Sequence, residues 1–292
     1  MQDAIQYYFN KNISDRIRLQ NGWKESWLLT LSDNTKVVFR TCEDYTDFFE
    51  RERFFYDTVN HCIGKICPEV YIVDGSCKYY NKSFQISEYI DGHALRSVLQ
   101  VESDDCKKAL YYKIGETVAR INQIKISSEH PYIKNRNSWL LHYTEKLLKI
   151  QLLRIVDNKL VKMEEVEKLC QNIQKRKVLS EYSFLHRDIR PDNIILKDDR
   201  LFIIDAETCE FGDPLYELAC INLEWHYWEM FDYLFDGYKS VENIDINNEL
   251  FYCYQLERLA EILDMHYNHG CANSTTPYFE NKFKQIKNKL LY

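Results

Sequence analysis

The sequence contains no long apolar run. No segment approaches the roughly 18–20 consecutive apolar residues of a membrane-spanning helix, so no span is expected. Its opening, Met1-Gln-Asp-Ala-Ile-Gln-Tyr-Tyr8, has neither a basic n-region nor an apolar h-region, and no secretory signal is read there. Glycine and proline are scarce, at 8 and 5 of 292 residues, while tyrosine (22) and phenylalanine (15) are plentiful. That balance predicts a folded body with a real core, enough for one large domain or two modest ones. The ten cysteines are scattered and none forms a C-x-x-C pair. They read as reduced thiols of a cytoplasmic protein, many of them buried as small apolar residues. A zinc site would need paired ligands at close spacing; His266 and His269 near Cys271 are the only weak group, and two histidines in a polar tail are usually solvated. No basic stripe accompanies the net charge of −7, so no nucleic-acid partner is expected. The acidic balance is compatible with a cationic small ligand.

What is present changes character along the chain. Residues 16–40 read as strands and turns, ending in the β-rich run Lys36-Val-Val-Phe-Arg40. From Tyr45 the period becomes helical, with Phe48, Glu52, Phe55 and Val59 on one face. Strand-like segments return at Val70-Tyr-Ile-Val73 and at Ser83 to Ile90, closing at Asp91-Gly92. Beyond that point helices dominate. Leu110, Ile114, Val118, Ile121 and Ile124 repeat at three- and four-residue steps, and Ser138 to Lys177 supports two more helices. Asp213-Pro214 supplies an N-cap and an N1 proline for a further helix, and helical patterns fill most of 221–292. The expected division is a small strand-rich lobe, 1–90, and a larger mainly helical lobe, 91–292.

The chemistry concentrates in Phe184-Leu-His-Arg-Asp-Ile-Arg-Pro-Asp-Asn-Ile-Ile-Leu196 and Leu201-Phe-Ile-Ile-Asp205. The first stretch spells H-x-D-x-x-x-x-N on a loop that enters a β-hairpin, whose turn is Lys197-Asp-Asp-Arg200. Phosphoryl transfer requires positioning and charge neutralisation more than covalent catalysis. Asp188 suits the orientation of an acceptor hydroxyl and the late removal of its proton. Asn193 and Asp205 offer oxygen ligands suited to Mg²⁺ beside a nucleoside triphosphate, ATP or GTP. His186 joins the catalytic set as a brace for the loop. In the first lobe, Arg40 stands where a strand delivers a cation to the nucleotide's phosphates, with Lys36 as the fallback. Glu52 is its expected partner, because a carboxylate on an apolar helix face needs one. The phosphate-covering turn, Asn21-Gly-Trp-Lys-Glu-Ser26, has one glycine, which leaves the Ser26 hydroxyl or backbone amides to touch phosphate. Glu88 to Ile90 has the character of a hinge whose backbone reads the edge of a base.

Together these residues resemble the aminoglycoside phosphotransferase superfamily, which also includes choline and homoserine kinases. Leu185 to Leu196 is similar to that family's H-G-D-L-x-x-x-N-I-L, and Ile204-Asp-Ala-Glu207 to its I-D-W/F-E/G. Phe211 to Leu218 resembles G-D-P-x-x-D-L, and Phe235-Asp-Gly-Tyr238 resembles F-x-x-G-Y. The resemblance implies an α+β, bilobal protein-kinase-like fold, with a small β-rich N-terminal nucleotide-binding lobe, 1–90, and a larger helical C-terminal catalytic and substrate-binding lobe, 91–292. It implies a Mg²⁺-dependent phosphotransferase acting on a hydroxyl of a small, possibly cationic molecule. An aminoglycoside-like antibiotic leads, which would make this a resistance enzyme. A metabolic kinase for choline, a sugar or an amino alcohol follows, and a nucleotide-binding scaffold without turnover is the rival from another class. Departures are Arg187 for the usual Gly, Arg40 for a frequent Lys, Glu217 for Asp, and Ile121-Asn122 for Leu-His. There is no D-F-G, and only a short link separates Asp205 from the helix at Asp213-Pro214, which leaves no peptide platform and favours a small acceptor. That acceptor is expected among helices around 135–180 and 213–265, with Leu223 to Asp232 offering carboxylates beside aromatics.

Overall fold

The computed structural model describes residues 1–19, 24–43, 46–127, 129, 148–174, 181–224 and 230–292. They pack as two compact units, residues 1–110 with 186–210, and residues 111–185 with 211–292. Packing therefore groups the H-x-D stretch with the first hundred residues, whereas a division at residue 90 follows chain order.

In the first unit, helix α1 (Gln2–Phe9) precedes strands β1 (Ile13–Leu19), β2 (Glu25–Leu31) and β3 (Lys36–Cys42). Helix α2 (Thr46–Ile63) follows, then β4 (Val70–Asp74) and β5 (Ser83–Glu88). The strands form one antiparallel sheet in the order β1-β2-β3-β5-β4. Alternation decides which side chains go where. Leu29, Leu31, Val37, Phe39, Phe84 and Ile86 form one buried cluster, sealed by Ala4 and Ile5 of α1. Each such large side chain contributes roughly 1.5–3 kcal/mol by leaving water. Val38 and Arg40 alternate with Val37 and Phe39 and emerge on the opposite face. Helix α1 lies upstream of the stretch where sequence patterning is first legible, and it is an addition from the structure.

The α2 register needs one correction. Phe49, not Phe48, shares full burial with Glu52, Phe55, Tyr56 and Val59; Phe48 is half-buried. The buried residues 49, 52, 55, 56 and 59 are linked by steps of three and four, and that spacing alone does not separate Phe49 from Phe48.

The unit is completed by β6 (His93–Ala94), α3 (Leu95–Val101) and the start of α4 (Asp104–Asn122). The returning segment adds a 3₁₀ turn (Pro191–Asn193) and the hairpin strands introduced next. These are numbered after β7 (Lys125–Ser127) and β8 (Glu181–Leu185) of the second unit, as β9 (Ile194–Lys197) and β10 (Arg200–Ile203). The hairpin pairs Ile194 with Ile203 and Lys197 with Arg200, and β9 also pairs with β6. Asp198 and Asp199, the two turn residues, both have positive φ (48° and 57°), as a two-residue turn matching strand twist requires. Ile203 N–H reaches back to the carbonyl of Ile66, tying the hairpin to the loop after α2.

The second unit holds the rest of α4, β7 paired antiparallel with β8, and helices α5 (Leu148–Arg154), α6 (Met163–Gln174), α7 (Pro214–Glu224), α8 (Phe231–Lys239), α9 (Glu249–Asn268) and α10 (Thr276–Leu291). Leu256, Leu259, Ala260 and Leu263 of α9 are fully buried against α5, α7 and α10. Asp213 accepts a hydrogen bond from Leu215 N–H (2.9 Å) ahead of Pro214 at the first helical position, so α7 starts as its cap residues predict. Helices α4 and α8 cross almost in backbone contact. A Cβ on Gly115 would lie 1.8 Å from the Leu234 carbonyl oxygen, and one on Gly237 would lie 1.9 Å from that of Tyr112. That close approach accounts for the glycine in Phe235-Asp-Gly-Tyr238. Asn122, where the family often has His, donates to Phe184 O (2.8 Å) and accepts from Tyr238 O–H (3.0 Å), so it stitches the core. Among the described residues, no helix is long and apolar enough to cross a membrane. All ten cysteines are thiols outside any disulfide. His266 shares a buried hydrogen bond with Thr276 (3.0 Å), which gives it a structural partner.

Candidate active site

Within the first unit a cavity of about 610 Å³ is lined by Ser26, Arg40, Glu88, Ile90, Asp188, Asn193 and Asp205, together with Lys24, Arg190 and Glu207 among others. Seven of the nine residues singled out by sequence thus share one space. The other two, His186 and Glu52, are buried behind it.

The loop is held from within. His186 Nε2–H donates to the Ile204 carbonyl (3.0 Å), and its Nδ1 accepts from Asp188 N–H (3.2 Å). Both ring nitrogens are used by a neutral imidazole, and burial pushes its pKa down to about 4. Asn193 donates through Nδ2 to the Asp188 carbonyl (2.9 Å) and to Asp188 Oδ2 (2.7 Å), which leaves its amide oxygen as an acceptor. Asn193 also accepts from Ile204 N–H through its backbone carbonyl (3.0 Å), which brings Asp205 alongside. Arg190 Nε lies 3.3 Å from Asp188 Oδ2. Arg96 of α3 clamps the adjacent Asp192 with two bonds of 2.5 and 2.6 Å. Arg187, which stands where the family usually has Gly, adopts φ 70°. Only glycine enters that region without a Cβ clash, so the arginine costs about 1–2 kcal/mol.

The cations arrive from the sheet and from α2. Arg40 faces Ser26 across β2–β3 and Gln85 across β3–β5. Its guanidinium donates twice to Gln85 Oε1 (2.5 and 3.2 Å), is ion-paired with Glu52, and reaches Asp205 Oδ1 at 3.4 Å. Tyr56 O–H donates to Glu52 Oε1 (2.9 Å) and accepts from Asp205 N–H (2.8 Å), so a single phenol links the ion pair to the Asp205 backbone. Burial raises that phenol's pKa and keeps it a neutral donor. Lys24 is ion-paired with Glu207 and lies 3.6 Å from Asp205 Oδ1. Burial, then the nearby Arg40, lowers the lysine's pKa to about 8. At Asp205 burial acts to raise the pKa, but the Arg40 and Lys24 cations outweigh it and hold the carboxyl below its ordinary range.

The remaining expected residues fall in less singular settings. The Glu88 carboxylate is occupied by Lys65 (2.6 Å) and Glu69 N–H (3.1 Å), so only its backbone is available as a hinge. Among the described residues, Ile90 N–H is engaged by no carbonyl, while Ile90 O accepts from Gly92 N–H (3.0 Å). Lys36 pairs with Asp91 (3.8 Å), stacks on Tyr89, and does not line the cavity. Asn21-Gly22 lies outside the described residues, as do 135–147, 175–180 and 225–229 of the segments expected to hold the acceptor. Tyr56, Gln85, Lys24 and Arg96 are not evident in the sequence. Only Tyr56 leaves a signal there, one helical turn after Glu52.

His186 gives the site a pH signature. An unfolded histidine titrates near 6.5, whereas this one titrates at about 4, so the unfolded chain binds the extra proton between those values. Its stabilising effect is complete above pH 6.5 and is lost as pH falls toward 4. Urea denaturation should show about 2 kcal/mol of this loss between pH 7 and 5, rising to about 3 kcal/mol at pH 4. His186→Gln should lack that component, and identical pH slopes in the two proteins would rule the assignment out.

A family model for the phosphotransferase enzyme family (APH) matches residues 16–234. The chain belongs to that family. Among curated relatives of this phosphotransferase family member, Protein LicA of Haemophilus influenzae strain Rd is 35% identical over 88 residues. That match covers 30% of this chain and 32% of LicA, about a third of the relative's length. Solved structures share the fold along nearly the whole chain. A thermostable mutant of aminoglycoside phosphotransferase APH(4)-Ia, in a ternary complex with AMP-PNP and hygromycin B, superposes with TM-score 0.67 at 14% identity, over 99% of this chain and 98% of that one. A Thermobifida fusca protein assigned as a fructosamine-3-kinase gives TM-score 0.67 at 14% identity, over 100% and 98%.

Proposed function

We propose that this protein transfers the γ-phosphoryl group of ATP or GTP to a hydroxyl of a small molecule. The observation that carries this is the gathering of Asp188, Asn193, Asp205 and the Glu52-backed Arg40 around one cavity. In the reaction, the acceptor oxygen bonds to the γ-phosphorus as the bond from that phosphorus to the β–γ bridging oxygen breaks. The nucleoside diphosphate leaves, and the hydroxyl proton passes to Asp188 late in the step. His186 and Asn193 act as positioning residues for Asp188, one through its backbone amide and the other through its carboxylate. Arg40 neutralises phosphate charge, Ser26 is placed to donate to it, and the Glu88–Ile90 backbone offers its polar groups to the base.

The residues present fit a magnesium ion. Asn193's amide oxygen and the Asp205 carboxylate are hard oxygen donors of the kind Mg²⁺ prefers. The cavity is lined by five carboxylates (Glu88, Asp188, Asp192, Asp205, Glu207) and three cations (Lys24, Arg40, Arg190), the wrong balance for a polyphosphate on its own. A divalent ion on Asn193 and Asp205 would supply the missing positive charge and neutralise charge that develops on the phosphates.

For the acceptor we take an aminoglycoside-like antibiotic as the leading class, which would make this a cytoplasmic resistance enzyme. Support comes from the hygromycin B complex of the fold neighbour and from the acidic balance of this chain. A metabolic kinase for choline, a sugar or an amino alcohol is the second class, because the protein assigned to fructosamine fits the fold equally well. Coupled ADP or GDP release across aminoglycosides, macrolides, choline-like amines and sugars, with both nucleotides, separates them. Acceptor-dependent release with one class is expected. Thermal stabilisation by nucleotide with no transfer to any acceptor would instead make the protein a scaffold.

A further inference from the structure

Two cations, not one, reach the same oxygen of Asp205. Arg40 approaches Oδ1 at 3.4 Å and Lys24 at 3.6 Å. Each is backed by its own carboxylate, Arg40 by Glu52 and Lys24 by Glu207. Both lie over the Phe49 ring, with Nζ of Lys24 and the guanidinium carbon of Arg40 5.7 and 5.8 Å from its centroid. The arrangement is a repeated device: a cation, a counter-carboxylate and a shared aromatic floor, duplicated about one acidic oxygen. Sequence patterning exposes the Arg40 half, because Glu52 sits conspicuously on an apolar helix face. The Lys24 half joins a strand-entry residue to one 183 positions later, and no local period reports it.

We propose that Lys24 is a second phosphate-binding cation of the nucleotide site, oriented by Glu207. This rests on the nucleotide reading above and extends it to a residue outside the family motifs. Three observations converge on it. Lys24 lines the cavity although only 9% of it is exposed, so a buried ammonium has been brought to a wall where a polyanion would lie. A lysine whose role was merely to neutralise Glu207 would need no approach to Asp205. The sequence just before it, Gln20-Asn-Gly-Trp23, has one glycine and not the glycine-rich pattern that cradles phosphate with backbone amides, which gives a side-chain charge a role. Finally, among the described lining residues Lys24 is one of three cations facing five carboxylates, and Arg190 is already engaged with Asp188. Among the described residues, removing it leaves Arg40 as the cation within 4 Å of the Asp205 carboxylate.

Calorimetric titration of the full-length protein with AMP-PNP and Mg²⁺ tests this, with adenosine binding followed in parallel by saturation-transfer NMR. Lys24→Met should weaken AMP-PNP about 10- to 100-fold, the range for losing a charge-assisted phosphate contact, and leave adenosine binding unchanged. Lys24→Arg should restore most of the affinity. Lys24→Met/Glu207→Gln removes the stranded carboxylate and guards against misfolding; it should show the same loss at a wild-type melting temperature. Equal AMP-PNP affinity in wild type and Lys24→Met would overturn the inference, as would parallel loss of adenosine. A wild-type protein that binds no AMP-PNP would overturn the nucleotide reading itself, a distinct outcome.

Discussion

Replacing Asp188 with Asn should lower kcat by about 10²–10⁴-fold, the usual contribution of a positioned general base, while AMP-PNP affinity stays within a few-fold of wild type. The side chain is held where it is by two partners that an amide oxygen can retain in part, Asn193 Nδ2 at 2.7 Å and Arg190 Nε at 3.3 Å. The backbone amide of residue 188 continues to donate to His186, so the loop keeps its shape. What disappears is the carboxylate's basicity. Asp188→Ala should be at least as inactive, with Asn193 losing a hydrogen-bond acceptor as well. Single-turnover measurement with the best acceptor from the panel reads the effect directly. Turnover near wild type in either variant would remove Asp188 from the chemistry.

The second large effect concerns stability as much as activity. Arg40→Met should destabilise the fold by about 3–5 kcal/mol, because it strands the buried Glu52 charge. Glu52 is 1% exposed, and its remaining partner is the Tyr56 hydroxyl. Glu52→Gln should cost less, since Arg40 keeps Gln85 and Asp205 as partners. The double variant Arg40→Met/Glu52→Gln should recover most of the stability lost by Arg40→Met, a strongly non-additive cycle readable by urea denaturation. Nucleotide affinity should not recover with it. Additive destabilisation would mean that the pair is not coupled as its geometry indicates. Recovered affinity would mean that Arg40 serves the fold alone.

The two predictions differ in how visible their basis is in sequence. Asp188, Asn193 and Asp205 are legible because a hairpin encodes their proximity locally. Ile194 pairs with Ile203 through a two-residue turn, so ligands twelve positions apart are obliged to meet. Arg40 and Glu52 are legible for a related reason. Strand alternation sends Arg40 to the face opposite Phe39, and helical periodicity puts a lone carboxylate among apolar neighbours. Helical spacing does not separate Phe48 from Phe49, and full burial falls on Phe49. The Gly-to-Arg departure at 187 carries no conformational signal in the sequence. The backbone shows why glycine is usual there, since the position takes φ 70°.

The H-x-D loop, its hairpin, the Arg–Glu pair and the small-molecule character of the family were therefore determined by the chain's own local order. Each depends on neighbours in sequence, on a period, or on the distance from Asp205 to the next helix. The tertiary structure alone decided the second cation–carboxylate pair, Lys24 with Glu207, the Tyr56 link from Glu52 to Asp205, the Gln85 support of Arg40 and the Arg96 clamp on Asp192. These contacts join residues 45 to 183 positions apart, with only the Tyr56–Glu52 bond as a local component. No backbone periodicity links such positions, and their partners are chosen only when the sheet, α2 and the hairpin pack and leave buried charges to be neutralised.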